Sequence, residues 1–219
     1  RHLRAMDRFI AGLPIERDGD LILCPDHGVA YQADMTPRVD YGADYFEKCH
    51  GYEGTDIAEK LNAGRIAFVA KRFAGRLLDV GVGSGEFVKS RPHTFGYDVN
   101  PVAPEWLRQA GRWSDQLDSF GAFTFWDVLE HVPTPEDYLR HCYLHGFVFA
   151  SVPIMSSVYS IRDSKHYRPG EHLYYFTELG FAQWLARHGF ELLEVSNFET
   201  KAGRDSILSF AFRRHRWPK

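Results

Sequence analysis

The chain has 219 residues, enough for one α/β domain with a full core plus a small appendage, and its 44% hydrophobic and 25% charged content is that of an ordinary globular protein. A net charge of -3 at pH 7 excludes a strong global pull toward nucleic acid, and the basic cluster Arg213-Arg214-His215-Arg216 reads as a solvated tail. No apolar run nears the roughly 20 residues of a membrane span, and three scattered cysteines, Cys24, Cys49 and Cys142, favour a reducing compartment, so a cytoplasmic protein is expected.

Residues 1–12 lack the continuous apolar core of a signal peptide, and the first residue is not Met, so the chain reads as trimmed or as a fragment. Leu21-Ile22-Leu23, set off by Asp18-Gly19-Asp20, suits a short strand or hairpin arm. Cys24-Pro25-Asp26-His27-Gly28 looks like a knuckle, and Tyr41, Tyr45, Phe46 and Tyr52 make a ring-rich stretch that fits a lid or plain packing of a cap. A helix starts at Thr55, which can cap it, and ends at Gly75. Strands follow at 76–80, 94–98, 121–126 and 146–152, with helices after the first two and an amphipathic helix at 135–144. Any third strand within 113–120 is weakly marked. Residues 154–175 read as a polar loop carrying aromatic rings, Thr177 caps a helix closed by Gly189, and 191–195 and 207–212 are a closing antiparallel pair joined by a short polar link. The expected architecture is α/β: a Rossmann-like doubly wound sheet, mostly parallel with an antiparallel last strand, plus a small N-terminal cap.

Three glycines at alternate positions, Gly81, Gly83 and Gly85, follow the first strand and precede a helix. Such a turn lets a flat ligand lie against bare backbone and receive its N–H groups. A nicotinamide-binding turn wants a glycine where Glu86 stands, and an acid there would repel a pyrophosphate but not a sulfonium or ammonium centre. Asp98, 17 positions after Gly81, ends the second strand, where a carboxylate can accept both hydroxyls of a ribose. The ligand therefore reads as an adenosine-type nucleoside without a diphosphate.

Four motifs in order resemble the class I S-adenosylmethionine-dependent methyltransferases, in the small-molecule branch with quinone and sugar methyltransferases. They are Leu77-Leu78-Asp79-Val80-Gly81-Val82-Gly83-Ser84-Gly85, Gly96-Tyr97-Asp98-Val99-Asn100-Pro101, Phe125-Trp126-Asp127-Val128-Leu129-Glu130-His131-Val132, and the late Phe176-Thr177 helix with Gly189-Phe190. The resemblance implies an S-adenosyl-L-methionine-binding methyltransferase domain at 55–219 and a cap or lid segment at 1–54. It implies that Asp79, Gly81 and Gly83 surround the methionine part of the cofactor, that Gly85 also belongs to the cofactor site, that Asp98 holds the ribose with Val99 beside the adenine, and that Phe125, Trp126 and Asp127 line the wall under the sulfonium. Rings attract onium centres.

His131 follows the C-terminal end of a strand and is the candidate catalytic base, the competing reading being a cap that orients its loop. His172, Tyr174 and Tyr45 are the candidate acceptor contacts. Cys24-x-x-His27 and Cys49-His50 carry zinc-ligand chemistry, but the adjacent pair is awkward as a bidentate half, and no metal is expected. The expected activity is methyl transfer to O, N or C of a small-molecule acceptor. The rivals are a nucleobase or nucleotide methyltransferase, a non-catalytic S-adenosylmethionine-binding partner protein, and a nicotinamide dehydrogenase.

Overall fold

A computed structural model describes residues 14–39, 42, 54–100 and 102–216. The first elements are a meander of three short strands, β1 (Glu16–Asp18), β2 (Leu21–Cys24) and β3 (Val29–Gln32). Gly19, at φ 59, turns the first pair and gives Leu21 and Leu23 to the interior. After α1 (Asp56–Ala70), N-capped by the Thr55 hydroxyl on Ala58 N at 3.3 Å, come β4 (Leu77–Val80), α2 (Glu86–Ser90), β5 (Thr94–Tyr97) and α3 (Ala103–Gln109). Then follow β6 (Ala122–Trp126), α4 (Glu136–Leu139), β7 (Phe147–Pro153), β8 (Tyr174–Phe176), α5 (Glu178–Arg187), β9 (Phe190–Ser196), α6 (Phe198–Lys201) and β10 (Ile207–Arg214).

The main sheet has six strands in the order β5-β4-β6-β7-β10-β9. Strands β5, β4, β6 and β7 are parallel, and β10 runs antiparallel to both its neighbours. Its central strands are buried on both faces, which is why they read as nearly unbroken apolar runs. The chain leaves β4 toward β5 on one side and returns to β6 on the other, so a crevice opens at the C-terminal ends of β4 and β6. The expected third strand survives only as one parallel bridge, Gly96 to Trp113.

Three expectations need correcting. The loop 154–175 ends in a strand: β8 pairs antiparallel with β3 and completes a second, four-stranded sheet with the N-terminal meander. The helix expected over 135–144 is the four-residue α4, because Arg214 Nη2 takes the carbonyl of Leu139 and the chain turns through left-handed His145 (φ 67) into β7. The link between β9 and β10 holds α6, which carries the buried Glu199. One core joins the layers: Phe123, Phe125, Phe181, Trp184 and Phe210 pack in the same cluster as Cys24, Val29 and Tyr31. Among the described residues, no helix is long and apolar enough to cross a membrane.

Candidate active site

The glycine turn begins where β4 ends. Gly81, Gly83 and Gly85 all take left-handed backbone (φ 76, 53 and 77), and Gly81 N donates to Tyr97 O at 2.8 Å, tying the turn to β5. Asp98, just past β5, fixes the two strand ends to each other: its Oδ2 accepts from Val82 N and its Oδ1 from Asn100 N, both at 2.8 Å. Burial raises its pKa, against the lowering by those backbone N–H groups. The backbone N–H groups of Gly83 and Val99 also approach it, so the Asp98 carboxylate is oriented by the turn and by the end of β5 together.

A cavity of about 630 Å³ opens here, with Gly81, Gly83, Asp98, Val99, Asn100 and Trp126 on one wall. The direction of a Cβ on Gly83 is open space within 4 Å, whereas a Cβ on Gly85 would lie 2.3 Å from the Trp106 ring, and Gly85 does not line the cavity. The two glycines should therefore separate. Gly85→Ala is expected to lose about 3 kcal/mol of stability from left-handed strain and clash together. Gly83→Val is expected to lose only about 1–2 kcal/mol but to weaken nucleoside binding by more than tenfold. Thermal melting and calorimetric titration read the two effects separately.

Asp79 sits beneath the turn rather than on the cavity wall, 1% exposed, and accepts the Thr124 hydroxyl at 2.6 Å across the β4–β6 register. Burial pushes its pKa up to about 7, against the lowering by that hydrogen bond and by Arg65. Trp126 is held between Phe87, edge-to-face at 5.5 Å, and the Arg65 guanidinium, 4.9 Å over its ring. Phe125, expected beside it, points into the core, stacked on Phe123.

Asp127 follows in left-handed backbone (φ 58), a region that aspartate tolerates better than most residues with a Cβ. Two arginines hold it there: Arg204 Nη1 donates to Oδ2 at 2.6 Å and Arg65 Nη2 at 3.2 Å. Both also grip the buried Glu199, which accepts Arg65 Nε at 2.9 Å. Burial would raise the Asp127 pKa, but the two guanidiniums outweigh it and hold the carboxyl below the usual range.

The cavity is also lined by His131, His166, Arg168, Glu171 and His172. His131 Nδ1 lies 3.0 Å from the Glu171 carbonyl oxygen, which can only accept, so Nδ1 carries the proton and Nε2 the lone pair. Burial lowers the His131 pKa, against the raising by Glu171 and Asp127, and burial drives His172 down to about 3. Both rings are neutral at pH 7, perpendicular to one another at a centroid distance of 4.6 Å. Tyr174 stands apart: 1% exposed, it donates its hydroxyl to Pro133 O at 2.9 Å and stacks on Trp184, away from the cavity.

The sequence model of the family described as "Methyltransferase domain" matches residues 52–195, more than half of the chain. The chain belongs to that family. It is a class I S-adenosylmethionine-dependent methyltransferase. A search of the curated proteins finds no match. Among solved structures, the methyltransferase is similar to the 1,6-didemethyltoxoflavin-N1-methyltransferase of Burkholderia thailandensis, solved with 1,6-didemethyltoxoflavin and S-adenosylhomocysteine (16% identity, TM-score 0.52, 94% of this chain and 100% of that one). It is also similar to the N-methyltransferase NodS of Bradyrhizobium japonicum with S-adenosylhomocysteine (13%, 0.55, 79% and 98%). A third is the magnesium protoporphyrin IX methyltransferase of Synechocystis (15%, 0.51, 78% and 93%). At these identities the likeness is one of fold.

Of the residues singled out in the sequence, Gly81, Gly83, Asp98, Val99, Trp126, Asp127, His131 and His172 of the methyltransferase come together on one cavity. Asp79, Gly85 and Tyr174 do not line it. Tyr45, with Tyr41, Phe46 and Tyr52, lies outside the described residues, as do Cys49 and His50. Cys24 is buried with its Sγ 3.7 Å from His27 Nδ1. Sequence reasoning missed Arg65, Glu199 and Arg204. Asn100, which lines the cavity and donates to Gly42 O at 2.9 Å, had a signal in its place directly after Asp98-Val99.

Proposed function

We propose that this methyltransferase moves the methyl group of S-adenosyl-L-methionine to O, N or C of a small-molecule acceptor, both held in the cavity of about 630 Å³ at the ends of β4 and β6. The observation that carries the reading is that Asp98, Gly83, His131 and His172 line a single cavity. Asp98 takes the ribose hydroxyls, Val99 the edge of the adenine, and the N–H-rich turn the methionine part. Asp79 acts from below, through the backbone of the turn, and Trp126 lies along the path of the sulfonium, where a ring face favours the cation. Transfer from a sulfonium is an in-line displacement, so alignment of the two ligands supplies most of the acceleration.

The acceptor side is polar and half-enclosed, with a neutral imidazole nitrogen of His131 offered to an O–H or N–H group. A volume within the roughly 300–1,000 Å³ typical of small-molecule sites supports a compact acceptor. The net charge of -3 gives no electrostatic support to a polynucleotide acceptor. Transfer of labelled methyl from S-adenosylmethionine to a panel of hydroxylated and amino small molecules tests the reading, with S-adenosylhomocysteine as the second product. His131→Ala is expected to lower kcat by about 100-fold or more and to leave the Kd for S-adenosylhomocysteine within about twofold. A variant that loses nucleoside binding instead places His131 on the cofactor side and overturns its assignment.

A further inference from the structure

Glu130 is the least satisfied polar group on the cavity wall. It is 1% exposed, and neither carboxylate oxygen has a hydrogen-bond partner. His131 Nε2 stands 3.8 Å from Oε1, beyond bonding range. His172 repeats the pattern: it is 4% exposed and its Nδ1 is buried without a partner. Buried groups left in this state cost on the order of 1–3 kcal/mol each, so an unpaired carboxylate beside an unpaired imidazole nitrogen points to a missing ligand.

We infer that Glu130, His131 and His172 form a site for a divalent first-row transition cation, held by one carboxylate oxygen, His131 Nε2 and His172 Nδ1. The ligand atoms that these three residues offer lie within 4.8 Å of one another. A cation bound at about 2.0–2.2 Å needs them roughly 3.0–3.5 Å apart, so closure by about an ångström completes the set. The elements that carry them are already joined: Glu130 O accepts both Leu173 N at 2.7 Å and Tyr174 N at 3.1 Å, which fixes the residue after His172 against the β6 loop. His131 is aimed as metal-binding histidines are, its Nδ1–H given to a backbone carbonyl so that Nε2 faces inward, and a bound cation takes the lone pair that the metal-free site offers to the acceptor proton. Two imidazoles and one carboxylate suit zinc, iron(II), manganese or cobalt better than calcium or magnesium.

All three residues line the cavity, so the open coordination positions face the acceptor. Resting on the methyl-transfer reading, this names the acceptor class: a molecule that presents an oxygen donor. An acceptor hydroxyl on the cation releases its proton to solvent, its oxygen takes the methyl carbon, and the carbon–sulfur bond breaks to leave S-adenosylhomocysteine and a methyl ether.

The test needs no acceptor. Chelator-treated protein is titrated with Zn²⁺ by calorimetry and with Co²⁺ by visible absorption, which reports the ligand set. The expected result is one site in the wild type. Glu130→Gln and His172→Ala should each weaken it by more than the roughly 10–100-fold that loss of an outer partner costs and alter the Co²⁺ spectrum. Cys24→Ser should bind as the wild type does. S-adenosylhomocysteine titration of the same variants should give an unchanged Kd, which shows them folded and keeps the cofactor reading separate. A wild type that binds neither cation overturns the inference, as does Zn²⁺ binding that survives in both variants or is lost in Cys24→Ser. A protein that binds S-adenosylhomocysteine but no metal loses this inference alone.

Discussion

Asp98→Ala is expected to lose S-adenosylmethionine binding by a factor of about 100–10,000 while remaining folded. Two hydroxyl hydrogen bonds to a carboxylate contribute on the order of 1.5–3 kcal/mol each, and every 1.4 kcal/mol is tenfold in Kd. The loss is compounded locally, because Asp98 also accepts Val82 N and Asn100 N and so fixes the glycine turn to the end of β5. Asp98→Asn is the informative companion. Its amide oxygen can satisfy one backbone N–H, and the variant should fall between wild type and alanine. Calorimetric titration with S-adenosylhomocysteine reads both. Equal affinity in wild type and Asp98→Ala contradicts the placement of the ribose.

Arg204→Met is expected to destabilise the fold by about 2–4 kcal/mol, under the roughly 3–5 kcal/mol of a fully buried pair because the Arg204 side chain is 28% exposed. The variant leaves Arg65 alone to serve Asp127 and Glu199, and the Glu199 side chain is wholly buried. The effect has a pH signature. Arg204 and Arg65 hold the folded-state pKa of Asp127 below its unfolded value, so the stabilisation is present above the unfolded carboxylate range, near pH 4, and is lost as pH falls through the folded value. Denaturant unfolding should show the largest gap between wild type and Arg204→Met at pH 6–7 and a smaller gap near pH 3. A gap that does not change with pH assigns the loss to packing of the Arg204 stem rather than to its charge.

What the sequence made legible was whatever physics writes locally. Leu77–Val80, Ala122–Trp126 and Phe147–Pro153 are buried on both faces, so each stands as an apolar run that no neighbour is needed to interpret. The alternate glycines and Asp98 were readable for the same reason: a left-handed turn admits few residues, and a carboxylate at a strand end has few uses. What escaped notice depends on partners far along the chain. Arg65, Glu199 and Arg204 are spread over 140 positions, and nothing in the stretch around each announces the others. Glu130 and His172 are 42 positions apart, and their shared burial emerges only once β8 pairs with β3. β8 itself has three residues, too few for alternation to show, and its aromatic run reads equally as loop or core.

A crystal structure of the methyltransferase with S-adenosylhomocysteine tests the arrangement of the two walls most directly. The ribose hydroxyls should lie within hydrogen-bond reach of Asp98, with the thioether sulfur between Trp126 and His131 and open space remaining toward His172. Nucleoside density anywhere other than across Gly81–Gly83, or a sulfur facing away from His131, contradicts a shared chamber for methyl donor and acceptor.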